Sequence, residues 1–201
     1  IFIAKTLMSQ LQDLAKKLKQ SQSLVVVTGA GISAESGITT FRGIDGYWSQ
    51  FKPEELASSA GFQEDPELVW RWYDERRRQI LDARPNPGHQ AIAELEAFMP
   101  EFTLITQNVD GLHQQAGSQN VIEIHGSIWR VRCLNTTREW ENRKLFDDFP
   151  VHCKCGGLLR PAVLWFGEVY HQGKVQRAVE AVSQADHILI VGTSGLAWIV
   201  S

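Results

Sequence analysis

The five residues Leu24-Val25-Val26-Val27-Thr28 are apolar or β-branched and stop at Gly29-Ala30-Gly31. Such a run reads as a strand buried on both faces, as in a parallel sheet covered by helices. The stretch Gly29-Ala30-Gly31-Ile32-Ser33-Ala34 fits G-x-G-x-x-A, and a helix is expected to start near Ser33. Glycines at a strand end let backbone approach a pyrophosphate, and the helix start presents free N–H groups and a positive dipole end. By itself the pattern serves equally as a tight strand-to-helix turn with no ligand.

The rest of the chain repeats the strand–helix rhythm. Leu7, Leu11, Leu14 and Leu18 recur at helical spacing, which predicts an amphipathic helix over 8–20. Asp65-Pro66 and Asn86-Pro87 each place a capping side chain before a proline, so helices are expected from there to about Leu81 and through Ala91, Ile92, Leu95 and Phe98. Phe102–Thr106, Val121–His125 and His187–Gly192 read as further buried strands. Alternation of this kind predicts an α/β fold with a parallel sheet. Residues 130–160 break the rhythm, being polar, cysteine-bearing and punctuated by glycine, and read as a small inserted module.

Composition narrows the function. The 201 residues are 43% hydrophobic and 21% charged with net charge −3, as for a soluble globular domain with no sequence-wide basic field for nucleic acid. Arg76-Arg77-Arg78 reads as a solvated helix face. Three cysteines, two of them in Cys153-Lys154-Cys155, do not form a secreted disulfide framework and point to a reducing compartment and a metal. No apolar run approaches the ~20 residues that span a bilayer, so no membrane association is expected and the default location is cytoplasmic. Met8 is expected to be the natural start, with residues 1–7 an upstream extension. A dehydrogenase would want an acid ~20 residues past the glycines at a strand end. Asp45 and Glu54 lie in that range, but neither follows an apolar strand.

The continuation to Glu35-Ser36-Gly37-Ile38-Thr39-Thr40-Phe41-Arg42-Gly43 resembles the opening signature of the sirtuins. Four further blocks agree in order: Thr106-Gln107-Asn108-Val109-Asp110-Gly111-Leu112-His113, Glu123-Ile124-His125-Gly126-Ser127, Trp165-Phe166-Gly167-Glu168 and Gly192-Thr193-Ser194. The resemblance covers nearly all of residues 10–194. It implies a catalytic domain over 8–201: a Rossmann-like parallel sheet with a zinc-ribbon-like insert at 130–160, the family's last strands being absent. The implied activity is NAD-dependent removal of acyl groups from protein lysines, giving nicotinamide and O-acyl-ADP-ribose.

The same resemblance assigns roles. His125 becomes the general base for a ribose hydroxyl, a task suited to a group titrating near neutral pH; on pattern alone it would read as a buried histidine at a strand end. Asn108 orients the ribose and its water. Gly29, Ala30, Gly31, Ala34, Gln107, Asp110, Gly192, Thr193 and Ser194 hold the cofactor, and Phe41 and Arg42 belong to the loop over it. Phe166, Gly167 and Glu168 would pair with the substrate backbone as an added strand. Tyr73 and Arg76 share a helix face, where phenol and guanidinium together grip a carboxylate, as in the desuccinylase branch. Succinyl- and malonyl-lysine are then expected substrates beside acetyl-lysine, with Gly61 near the small residue that widens the pocket. Cys133, Cys153 and Cys155 match three of the family's four zinc ligands, and Thr136 stands where the fourth is expected. Either His152 completes the set, or water does, or no metal is held and Trp129, Leu134, Trp140 and Leu158 pack the module instead. The last residues, Gly195–Ser201, depart from the family pattern. A catalytically impaired binding module is the alternative expectation.

Overall fold

The computed structural model describes residues 2–38 and 52–193. Phe41, Arg42, Ser194, Asp45 and the tail 195–201 lie outside the described residues.

Four parallel strands form the main sheet in the order β3-β2-β1-β7. They are β1 (Ser23–Thr28), β2 (Glu101–Thr106), β3 (Val121–Glu123) and β7 (His187–Val191). Side chains alternate across β1. Leu24 and Val26 pack with Leu18, Ile32, Ile92 and Leu104 on one face. Val25 packs with Ile105, Ile122, Ile124 and Ala178 on the other. The first face is covered by α1 (Phe2–Gln20) and α5 (Pro87–Phe98), the second by α7 (Gln172–Gln184). Burial on both faces at roughly 1.5–3 kcal/mol per large apolar side chain is why β1 carries no polar residue between Ser23 and Thr28.

Both capping signals hold. Asp65 accepts from the Leu68 amide at 2.9 Å and starts α4 (Pro66–Leu81). Asn86 accepts from the Gly88 and His89 amides, and the His89 ring answers on the Asn86 N–H, closing a capping box at the start of α5.

Several expectations change. The glycine turn opens a 3-10 helix at Ala30–Ser36, not an α-helix at Ser33. The run Val121–His125 pairs only to Glu123, so His125 lies beyond the strand. The α1 helix begins at Phe2, not at residue 8, and from Leu11 onward its leucine stripe is largely uncovered: Leu11 and Leu14 are exposed, while Leu18 is buried. The short helices α2 (Pro53–Leu56) and α3 (Ser59–Glu64) were not anticipated. Helical period shows that a stripe exists, not what meets it.

The inserted region is a second, antiparallel sheet, β5-β4-β6, made of β4 (Gly126–Cys133), β5 (Glu139–Glu141) and β6 (Leu159–Val163). It packs on α4 through Trp70, Trp72 and Ile80 against Ile128, Trp129, Val131, Val151 and Leu159. The Trp70 indole donates to the Leu159 carbonyl at 2.7 Å. Leu134 and Trp140, expected inside, are exposed; a short strand on the outer edge has no second layer to bury them.

Asn86 does more than cap: its amide donates to the buried Ile32 carbonyl at 2.7 Å. Asn86→Ala therefore loses a cap worth ~1 kcal/mol and leaves a buried acceptor unmet at ~1–3 kcal/mol. Urea unfolding is expected to show a loss of about 2 kcal/mol or more; a loss under about 0.5 would contradict this account.

Candidate active site

Thr28, Thr106 and Val191 end their strands in register. The chain leaves β1 toward β2 and β3 and later returns to β1's other side as β7, so the β1/β7 boundary is a topological switch point, where open α/β sheets bind ligands. The glycines there answer a need different from the expected one. The Gly31 amide donates to the Gly192 carbonyl at 2.8 Å, and the Gly29 amide to Val191 at 3.2 Å. A Cβ on Gly31 would sit 2.7 Å from the Gly192 oxygen, and one on Gly192 would sit 2.3 Å from the Ile32 nitrogen. The two turns interlock, and only glycines allow that approach. Ala30, Gly31 and Ala34 line the exposed rim, while Gly29 is buried. Thr193 reaches across to donate to Gln107 Oε1 at 3.2 Å.

A buried polar network lies behind this rim. The Ser33 hydroxyl donates to Asp110 Oδ2 at 2.8 Å and accepts from Asn108 Nδ2 at 3.1 Å. His89 Nδ1 accepts from the Asn86 N–H, so its Nε2 carries the proton and points it at the same Ser33 oxygen at 3.4 Å. Asp110 also accepts from the Leu112 amide at 2.9 Å, where α6 (Leu112–Ala116) begins. Below Asn108, Thr106 Oγ1 accepts from the Asn108 amide and from Thr28 Oγ1. With its own proton spent on Thr106, Thr28 accepts from His113 Nε2 at 2.9 Å. Asn108 and Asp110 are thus brought together as expected. Ser33 and His89 were missed as site residues. Their only signals were positional: the one polar residue inside the glycine turn, and a side chain at the third helical position after a capping asparagine.

His125 is half-buried. A carbonyl only accepts, so the 3.0 Å contact with the Gln107 oxygen places the proton on Nδ1. Nε2 is left as the basic nitrogen, 3.3 Å from the Tyr170 hydroxyl, which donates to it. Burial pushes the imidazole pKa down, the Gln107 bond opposes that, and Lys174 adds to the lowering. The ring is neutral at pH 7.

Tyr73 and Arg76 lie on α4 beside the 165–168 turn. The Tyr73 hydroxyl is buried and accepts from the Trp165 indole at 2.9 Å; burial raises its pKa and keeps it a neutral donor. The Arg76 guanidinium sits over the Trp72 ring at 5.1 Å. The Phe166 side chain is exposed, but its amide donates to Ala57 at 2.8 Å, so one edge of this stretch is already paired within the chain. Gly167 turns the chain at φ 83°. The Glu168 carboxylate faces inward, accepting from Arg160, the Trp165 amide and Ser59. Burial would raise its pKa, but these donors outweigh it and hold it low. Gly61 does not open a pocket, because a Cβ there would sit 2.1 Å from the Glu55 carbonyl and that space is filled by backbone.

The ligand atoms of Cys133, Cys153 and Cys155 lie within 4.8 Å of one another. The Cys133 and Cys155 sulfurs are 3.5 Å apart. His152 is not in the group; its backbone bridges to Leu158 in a hairpin. Three thiolates suit a thiophilic ion such as zinc, but the usual fourth ligand is missing among the described residues. An open groove of about 610 Å³ runs along α7, lined by Val175, Gln176 and Val179, and meets the site only at Tyr170.

The arrangement sets a glycine rim at a switch point, with the fixed Asn108 amide and Asp110 carboxylate behind it and the half-buried His125 imidazole beyond. Residues 29–197 match the model of the Sir2 family. The chain is 54% identical over 187 residues to "NAD-dependent protein deacylase 2" of Pyrobaculum aerophilum, covering 92% of this chain and 75% of that protein. It is 52% identical over 181 residues to "NAD-dependent protein deacylase" of Aquifex aeolicus, covering 89% and 76%. A solved Sir2 homolog–NAD complex superposes with TM-score 0.88 at 48% identity, covering 92% of this chain and 73% of that one. The chain belongs to the Sir2 family.

His113 provides a test of the buried network. It is 1% exposed, and its Nδ1 has no partner among the described residues. Protonation would place an unpaired charge there, so burial, with neighbouring His89, depresses the pKa to about 4. The unfolded state takes the proton first, near pH ~6.5. Stability is therefore full above that pH and declines as pH falls toward 4, by roughly 2–3 kcal/mol. Unfolding across this range should show that slope, and His113→Gln should reduce it; an unchanged slope would refute the assignment.

Proposed function

We propose that this chain is an NAD-dependent protein-lysine deacylase that transfers the acyl group of an acylated lysine to ADP-ribose, releasing nicotinamide and leaving O-acyl-ADP-ribose. The observation that carries the reading is His125, whose Nδ1–H is tied to the Gln107 carbonyl and whose Nε2 is left basic, beside the strand-end crevice. The names of the relatives and the Sir2–NAD complex support the cofactor.

The donor set fits NAD. Gly29, Ala30, Gly31 and Ala34 with Gly192 and Thr193 would hold the diphosphate side, and Gln107, Asn108 and Asp110 the ribose–nicotinamide side; Phe41, Arg42 and Ser194 are assigned to the same task. What NAD supplies when bound is a ribose carbon that becomes electrophilic as nicotinamide leaves. The chain's own residues do the rest. Asn108, clamped by Ser33 through its side chain and by Thr106 through its amide, presents a fixed amide to the sugar at no ordering cost during reaction. His125 Nε2 exchanges the Tyr170 hydroxyl for a ribose hydroxyl and takes its proton, a general-base step worth ~10²–10⁴ in rate. Because its pKa is lowered, the base stays deprotonated below the usual histidine range. The exposed Phe166 and the turn at Gly167 offer an apolar seat and a backbone edge to the peptide carrying the lysine.

The acyl range is set at Tyr73 and Arg76. Tyr73 accepts from Trp165 and keeps its own proton to give, and Arg76 brings a bidentate cation, so the pair suits a succinyl or malonyl carboxylate.

Acetyl- and succinyl-lysine peptides with NAD, followed by nicotinamide release, test both parts. His125→Ala is expected to lower turnover at least ~10²-fold with the melting temperature within a few degrees; full activity in this variant would remove His125 as the base. Arg76→Met is expected to cut desuccinylation at least ~10-fold more than deacetylation, the loss of one charged hydrogen-bond partner being ~1.5–3 kcal/mol. Equal losses on the two peptides would refute the carboxylate assignment.

A further inference from the structure

The cysteine cluster has three ligands where structural zinc takes four, and its surroundings show how that shortfall is met. Tetrahedral zinc with Zn–S bonds of ~2.3 Å holds its sulfurs ~3.8 Å apart. The Cys133–Cys155 separation of 3.5 Å, with all three sulfurs inside 4.8 Å, is close to that spacing. Two knuckle turns create it. The Cys133 carbonyl accepts from Thr137 at 2.9 Å, and the Cys153 carbonyl accepts from Gly156 at 2.9 Å. They abut where Gly157 lies against the Asn135 side chain, a contact leaving no room for a Cβ.

Thr136 sits three residues after Cys133 in the first knuckle. In zinc knuckles a second ligand commonly stands at that spacing. An alcohol stays protonated at neutral pH and is not among the usual zinc ligands. Thr136 therefore leaves that place without a thiolate. No other His, Asp or Glu among the described residues joins the cluster.

The module has an apolar core of its own beside the sulfurs. Trp129, Val131, Cys133, Val151 and Leu159 are buried together. Arg77, wholly buried on α4, lies between the Trp129 and Phe146 rings at 5.3 and 5.1 Å and donates to the Lys144 carbonyl at 2.8 Å. The Trp70–Leu159 bond fixes the far end. Small zinc modules that unfold without their ion have no such core.

We propose that Cys133, Cys153 and Cys155 form a three-thiolate site whose fourth position, beside Thr136, is left to water, so that zinc is held exchangeably and is not needed to fold the module. Loading is redox-neutral: Zn²⁺ displaces the three thiol protons to solvent and keeps one water. The fourth thiolate that would lock the ion is one substitution away. This inference is independent of the acyl-transfer reading, since none of its measurements involves turnover.

The test uses the full chain, reduced. Zinc affinity is measured against a chromophoric chelator, and Co²⁺ replaces zinc to count thiolates by the sulfur-to-cobalt absorption. Thr136→Cys is expected to bind zinc at least ~10–100-fold more tightly, since even changes outside the ligand shell shift affinity by that much. Its cobalt–thiolate band should be about one third stronger, in proportion to four thiolates over three. Thr136→Ser should track the parent chain, and circular dichroism confirms that the variants fold. Stripping metal from the parent should move its melting temperature by less than about 4 °C. Equal affinity in parent and Thr136→Cys, a parent band already at four-thiolate strength, no thiolate band at all, or a large drop in melting temperature on stripping would each overturn the proposal.

Discussion

The Ser33 hydroxyl is the atom on which the site's geometry depends. It joins three pieces far apart in sequence: the glycine turn after β1, the loop after β2 and the start of α5. A hydroxyl has one proton to give and two lone pairs to fill, and all three are used, toward Asp110, Asn108 and His89. Both side chains that face the crevice floor are thus oriented by one oxygen buried to 1% exposure. Removing it would leave a buried carboxylate, an amide and an imidazole each short of a partner, at ~1–3 kcal/mol apiece. The network is rigid because it has no spare donor.

The interlocked turns give that network its frame. Gly31 and Gly192 meet backbone to backbone, so β7 is held against β1 at its carboxyl end by more than ladder bonds. The Thr193–Gln107 bond carries the link on to the loop that holds His125 through the Gln107 carbonyl. Position is passed from the glycine turn to the base along covalent neighbours, the Gln107 side chain and single hydrogen bonds.

Much of this was legible in the sequence. The four parallel strands follow from short β-branched runs, and α4 and α5 from Asp65-Pro66 and Asn86-Pro87, because strand burial and helix capping are local physics. The sirtuin-like blocks located His125, Asn108 and Asp110. What stayed hidden is whatever tertiary contact decides. Nothing local distinguishes Leu18, buried, from Leu11 and Leu14, exposed, on one stripe. Nothing local shows that the space at Gly61 is taken by the Glu55 carbonyl. Nor does any local signal show that Glu168, in the stretch expected to pair with the substrate backbone, gives its carboxylate to Arg160, eight residues earlier. The tautomer of His113 follows from Thr28, 85 residues away.

Two polar clusters in one chain show opposite ways of meeting the cost of burying such groups. Around Ser33 the hydroxyl's donor and acceptor sites are all taken, so Asp110, Asn108 and His89 hold a single arrangement, and burial beside it depresses the pKa of His113. In the inserted sheet the apolar core of Trp129, Val131 and Leu159 carries the fold, and the thiols sit at its rim, from buried Cys133 to exposed Cys155. Where an apolar core supplies the burial, as here, polar groups at its rim need not be matched one to one, and that is the condition the proposed exchangeable site requires.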